Sequence, residues 1–161
     1  MVGRTIENTE TATRHHPAHP SPVERHNQPI IVLVTVTTVN RRPILADERA
    51  HEALRHAWAN AVRWVVGYYM IMPDHVHLFC SPQTQERDTV KSWCKYWKRL
   101  AGTDAATLKG AFVWDCWDTQ MRDQEHYLRK LEYVTQNPVR RCLVRTTDDW
   151  AYQGHMQELP W

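Results

Sequence analysis

The sequence predicts an α+β domain: a ferredoxin-like split βαβ unit, its antiparallel sheet carrying helices on one face, with a tyrosine-bearing helix appended at the C-terminal end. Three observations carry this expectation. Stretches of strand period and of helical period follow one another in the order β, α, β-β, α, β, α. Two of the apolar runs are joined by Pro73-Asp74 alone, and a link that short permits only an antiparallel pair. A chain of 161 residues is long enough to bury one core and is most economically one domain.

Residues 1–28 are polar, rich in Thr, His and Pro, and read as a flexible arm whose His15, His16, His19 and His26 are solvated rather than ligands. The domain then occupies residues 29–161. Pro29 to Val39 is a β-branched run, the mark of a buried strand, and "NRRP" turns the chain after it. Leu45, Ala50, Leu54, Ala57, Trp58 and Ala61 recur at helical spacing through "LADERAHEALRHAWANAVR". "RWVVGYYMIM" and "HVHLFCS" form the hairpin pair. "DTVKSWCKYWKRLAG" reads as a helix capped by Asp88 and stopped by Gly102. "AFVWDCWDTQM" is a further strand, and "DQEHYLRKLEYVTQ" a helix started by Asp123 or Asp118, with Tyr127, Leu128, Leu131 and Val134 as its apolar stripe. That helix is expected to end near Asn137-Pro138, since a residue before proline resists helical geometry. The aromatic residues of the tail predict that it packs back on the domain.

Composition excludes more than it assigns. The absence of a secretory or membrane-length apolar segment leads to the expectation of a soluble cytoplasmic protein. Cys80, Cys94, Cys116 and Cys142 lack zinc-ribbon spacing and are expected to be reduced thiols. A net charge of +2 does not by itself indicate nucleic acid, but 15 arginines against 5 lysines favour the residue that grips phosphate with a planar fork.

The residues that carry chemistry begin with "MPDHVHLF". On a strand, side chains alternate, so His75 and His77 face one way while Val76, Leu78 and Cys80 face the other. Two neutral imidazoles are good ligands for a divalent cation, but two alone hold it weakly. "EYVTQNPVRR" then offers Tyr133 and Asn137 one helical turn apart: a hydroxyl and an amide oxygen on one face, or a packing tyrosine and a helix-end amide.

"YMIMPDHVHLF", "CWDTQMRDQEHYLRKLEYVTQNPVRRCLV" and "DDWAYQG" together resemble the REP-associated tyrosine transposases, single-tyrosine enzymes of the HUH class, over residues 29–154. The resemblance implies that His75 and His77 are metal ligands, Asn137 the third ligand and Tyr133 the nucleophile. The family's usual "NPVRAGL" reads "NPVRRCL" here, so Arg141 and Cys142 replace small residues, and its Phe-Asp is Trp117-Asp118. Mixed nitrogen and oxygen ligands with open positions suit Mg2+ or Mn2+. The implied reaction is metal-dependent cleavage and strand transfer of single-stranded, hairpin-forming DNA through a 5′-phosphotyrosine. The REP-associated relatives imply a monomer, the smaller relatives a dimer. Asp74 is either a proton acceptor or a cap of the hairpin turn.

Candidate DNA-binding residues fall into two groups. Lys91, Lys95, Lys98 and Arg99 form a basic stripe on the second helix, beside a core stripe that includes Trp93 and Trp97. Arg140, Arg141 and Arg145 follow the tyrosine helix. Clustered arginine with aromatic residues fits single-stranded DNA better than groove reading. The competing readings are a non-catalytic single-stranded nucleic-acid-binding module of the same fold, and a metallohydrolase that uses water as nucleophile.

Overall fold

A computed structural model describes Pro22 and residues 28–83 and 88–161; the expected N-terminal arm and its histidines lie outside the described residues apart from Pro22 and Gln28. The elements are β1 (Val32–Thr37), α1 (Glu48–Asn60), β2 (Trp64–Met72), β3 (His75–Pro82), α2 (Val90–Asp104), β4 (Trp117–Gln120), α3 (Gln124–Thr135), α4 (Asn137–Arg140) and β5 (Gln153–His155). The sheet runs β4-β1-β3-β2-β5, every neighbouring pair antiparallel. Its first four strands are the ferredoxin-like split βαβ arrangement.

Alternation along the strands divides the molecule into two layers of core. Val32, Val34 and Val36 of β1 and Val76, Leu78 and Cys80 of β3 face α1 and α2, where Leu54, Trp58, Trp93 and Trp97 are buried against them. Leu33, Met70, Met72 and Phe79 face the other way and are covered by Val134, Tyr127 and Leu131 of α3. The helices of the split βαβ unit therefore share one face, and the appended helix closes part of the opposite one. Leu128, expected in the apolar stripe of α3, is 52% exposed instead, because a single helix laid on the sheet face buries only a narrow strip.

Asp47 and Asp123 cap α1 and α3 as side-chain acceptors for Ala50 and His126 N–H. The cap of α2 is Thr89 rather than Asp88, and α2 passes through Gly102 to Asp104. Gly102 is held in the helix by a close approach: a Cβ there would lie 3.0 Å from Lys109 Cα. Strand β5 was not expected, three residues being too few to show an alternation. The tail does return to the domain: Leu159 packs over Gly67, and the Trp161 ring meets that of Tyr127 at 5.6 Å. Cys80, Cys94 and Cys116 are buried free thiols and Cys142 is an exposed one.

The tyrosine helix ends as expected just before Asn137-Pro138: α3 stops at Thr135, and a separate short helix follows. Gln136 remains helical at φ −76°, ψ −4°, and α4 begins with Asn137, so the proline falls in a first turn, where its missing N–H costs nothing. The chain leaves α4 through paired bonds, Cys142 N–H to Val139 O at 2.9 Å and Leu143 N–H to Pro138 O at 2.9 Å. This is a Schellman motif, and it puts Cys142 at φ 56°, the left-handed conformation that glycine adopts without penalty. Cys142→Gly is expected to raise unfolding stability by about 1 kcal/mol, read as a higher urea midpoint with unchanged slope.

Candidate active site at the paired histidines

His75 and His77 are both buried on the α3 side of the sheet, their ring centroids 4.8 Å apart and nearly perpendicular. Each ring is held through the same nitrogen. His75 Nδ1 lies 2.6 Å from Asp74 Oδ1, and since a carboxylate only accepts, Nδ1 carries the proton and Nε2 the lone pair of the neutral ring. His77 Nδ1 lies 2.8 Å from Thr35 Oγ1 on the neighbouring strand. In both rings Nε2 is the nitrogen left for a ligand, the outer-partner arrangement that orients metal-binding imidazoles.

Electrostatics keep the pair neutral. Burial lowers the pKa of His77 to about 3, with His75, Arg140, Arg141 and Arg41 pushing the same way. Burial also lowers His75, partly opposed by its bond to Asp74 and by that carboxylate's charge. Burial alone would raise Asp74, but its hydrogen bond to His75, the positive charge of a protonated His75, and those of Arg41 and Arg141 outweigh it and leave the carboxyl below its usual range. Arg41 also reaches Asp74 directly at 3.6 Å, from a turn in which Asn40 and Arg41 both adopt positive φ.

The junction of α3 and α4 presents the other candidate residues. Tyr133 is 56% exposed, whereas Asn137 is only 8% exposed. Arg140 bridges them: its guanidinium lies 3.9 Å from the centroid of the Tyr133 ring and donates through Nη2 to Asn137 Oδ1 at 3.3 Å. The same Arg140 contributes to the field on His77. One arginine thus touches the exposed phenol and the buried amide while its charge reaches the histidine pair. Among the described residues no group of three or more His, Cys, Asp or Glu side chains gathers to hold a metal ion.

Thr35 and Arg41 were not anticipated as parts of this site, and Asp74 only as one of two possibilities. Nothing local marks Thr35: its role comes from the register that sets it opposite His77. Arg41 comes close because the β1–α1 turn folds back on the Pro73-Asp74 turn, where Thr38 N–H donates to Asp74 O at 2.9 Å.

The basic stripe of α2 lies on the other side of the sheet from the histidines, and its members differ. Lys98 donates to the carbonyls of Val113, Trp114 and Asp115 at 3.0, 3.4 and 3.0 Å, which makes it a brace of that loop. Lys91 pairs with Asp115 at 3.2 Å. Lys95 lies over the Trp114 ring at 4.1 Å and Arg99 beside the Tyr96 ring at 5.4 Å, both cations at the surface. Arg140, Arg141 and Arg145 are exposed. No helix among the described residues is long and apolar enough to cross a membrane.

Comparison with known proteins agrees with this architecture. The REP-associated tyrosine transposase of Escherichia coli (strain K12) is 26% identical over 121 residues, which cover 73% of this chain and 72% of that protein. A solved structure of the REP-associated tyrosine transposase bound to a REP hairpin superposes with a TM-score of 0.65 at 20% identity, over 83% of this chain and 82% of that one. The fold is the same. No protein-family model matches the chain.

The bracing role of Lys98 separates it from its neighbours in the stripe. Lys98→Met is expected to cost about 2 kcal/mol of unfolding free energy, as three carbonyls lose a charged donor, while Lys95→Met changes stability by less than about 0.5 kcal/mol. Urea denaturation of the two variants measures the difference.

Proposed function

We propose that this chain, a homologue of the REP-associated tyrosine transposase, cleaves and rejoins single-stranded DNA at the histidine face, with Tyr133 as nucleophile and a hairpin-forming DNA as substrate. The observation that supports this most is the shared orientation of the imidazoles, each engaged at Nδ1 by a fixed partner.

The donor set fits a divalent cation. By their chemistry, two neutral imidazoles and the amide oxygen of Asn137 would make a mixed nitrogen and oxygen set suited to Mg2+ or Mn2+. When bound, such an ion supplies positive charge to a non-bridging phosphate oxygen and so favours attack at phosphorus. In that state Arg140 is free to exchange Asn137 for a phosphate oxygen, since its fork suits either acceptor.

The residues of the chain account for the remaining chemistry. Tyr133 is exposed on the helix surface, where a DNA strand can reach it without unfolding the domain. Attack by its oxygen forms a Tyr–O–P bond and breaks the bond from phosphorus to the 3′ oxygen. The phenolic proton leaves with the attack, and the departing 3′ oxygen takes up a proton to become a hydroxyl. The energy of the phosphodiester is kept in the 5′-phosphotyrosine, so a 3′-hydroxyl can reverse the step and reseal a strand without ATP. Arg140, against the phenol ring, stabilises negative charge on the tyrosine oxygen as it reacts. Arg41 and Arg141 add positive charge around His77.

Tyr133→Phe is expected to reduce the covalent protein–DNA adduct to background while hairpin binding persists. Incubation with labelled hairpin DNA and Mn2+, resolved on a denaturing gel, decides it: cleavage that continues in the variant excludes Tyr133 as nucleophile. Cleavage by the wild type without a protein-linked product would select the hydrolytic reading, and hairpin binding without cleavage the binding module. The support of His77 is tested separately. Thr35→Val should weaken Mn2+ binding, followed by isothermal titration, by about 10- to 100-fold, and Thr35→Ser should restore it.

A further inference from the structure

Trp114 and Trp117 are among the most exposed large apolar side chains described, at 71% and 54%, in a protein that buries Trp58, Trp64, Trp93 and Trp97. They flank the start of β4, the edge strand, three residues apart. Their settings differ. Trp117 pairs with Thr35 across β1, and Thr35 pairs in turn with His77, so the tryptophan shares the sheet face and the cross-strand row of the histidine. Two strand spacings, about 10 Å, separate Trp117 from His77 along that row.

Trp114 stands on the helix side, in the wall of a groove of about 840 Å³ beside α2. Lys95, Arg99 and Lys109 line this groove together with Tyr96, and no carboxylate does so among the described residues. Lys98 fixes the Trp114 wall through three carbonyls. Exposed rings and unopposed cations on a braced support match a polymer that has both stacking faces and phosphates. The cation now over Trp114, Lys95, occupies the ring face that a base would take, and phosphate is its natural alternative partner.

We infer that an unpaired DNA strand leaving the histidine face crosses the β4 edge, stacks on Trp117 and then Trp114, and continues into the basic groove beside α2. This rests on the reading of the histidine face as the DNA-processing site and extends it to the path of the strand. The occupant is single-stranded: a blunt duplex presents no base faces to two separated rings.

The test uses the full chain and a fluorescein-labelled single-stranded oligothymidine, with a blunt-ended hairpin as competitor. Trp114→Ala and Trp117→Ala should each weaken binding of the oligomer by about tenfold, as expected for loss of one stacked base. Lys95→Ser with Arg99→Ser should lower the salt dependence of log K by about 1.4, the share of two single-strand phosphates. Both tryptophans are exposed, so the urea midpoints should not move, and 5-iododeoxyuridine placed successively along the strand should cross-link to Trp117 nearer the cleavage point than to Trp114. Unchanged affinity in both tryptophan variants, or equal competition by the blunt hairpin, would overturn the path. The adduct assay with Tyr133 keeps the two ideas apart: a wild type that forms the adduct while the tryptophan variants bind normally loses only the path. A wild type that binds the oligomer through both tryptophans without ever forming an adduct loses the chemistry and keeps the groove.

Discussion

The pairing of β1 with β3 is the constraint from which the histidine face follows. Thr35 stands opposite His77 and Thr37 opposite His75, so the ring that needs a partner finds a hydroxyl on the adjacent strand. A slip of one residue would turn the valines of β1 toward the imidazoles and leave a threonine in the core. Burial of Val32, Val34 and Val36 against α1 and α2 forbids that slip, so packing on one face of the sheet determines side-chain chemistry on the other.

The second determinant is the way α3 passes into α4. A second short helix starts directly after Gln136, with Asn137 buried in its first turn and Arg140 carried back over Tyr133. Arg41, Arg140 and Arg141 then surround two imidazoles that burial keeps neutral, and the result is a positive, partly desolvated spot. Such a field suits a phosphate: the arginines are permanently charged, and the neutral rings keep their lone pairs available.

The aromatic residues divide between the core and the surface. Four tryptophans form the core between the sheet and α1 and α2, with Trp93 donating to Ala61 O at 2.8 Å. The exposed pair, Trp114 and Trp117, lies at the β4 edge of the sheet. The cations of α2 divide in the same manner. Lys98 is held by backbone carbonyls, whereas Lys95 and Arg99 lie over rings at the surface.

Sequence by itself determined the main elements, the short α4 and β5 apart, their order and which residues share a strand face, because these depend on periods of two and 3.6 residues and on caps and turns a few positions long. It therefore located His75 and His77 on the polar side of β3, and Tyr133 and Asn137 one helical turn apart. It did not reveal that Thr35 supports His77, that Arg41 reaches Asp74 or that Lys98 braces a loop. Those outcomes depend on register between segments roughly 15 to 40 residues apart and on the packing that selects it. Thr35 and His77 are 42 positions apart in the chain, and only the folded sheet makes them neighbours.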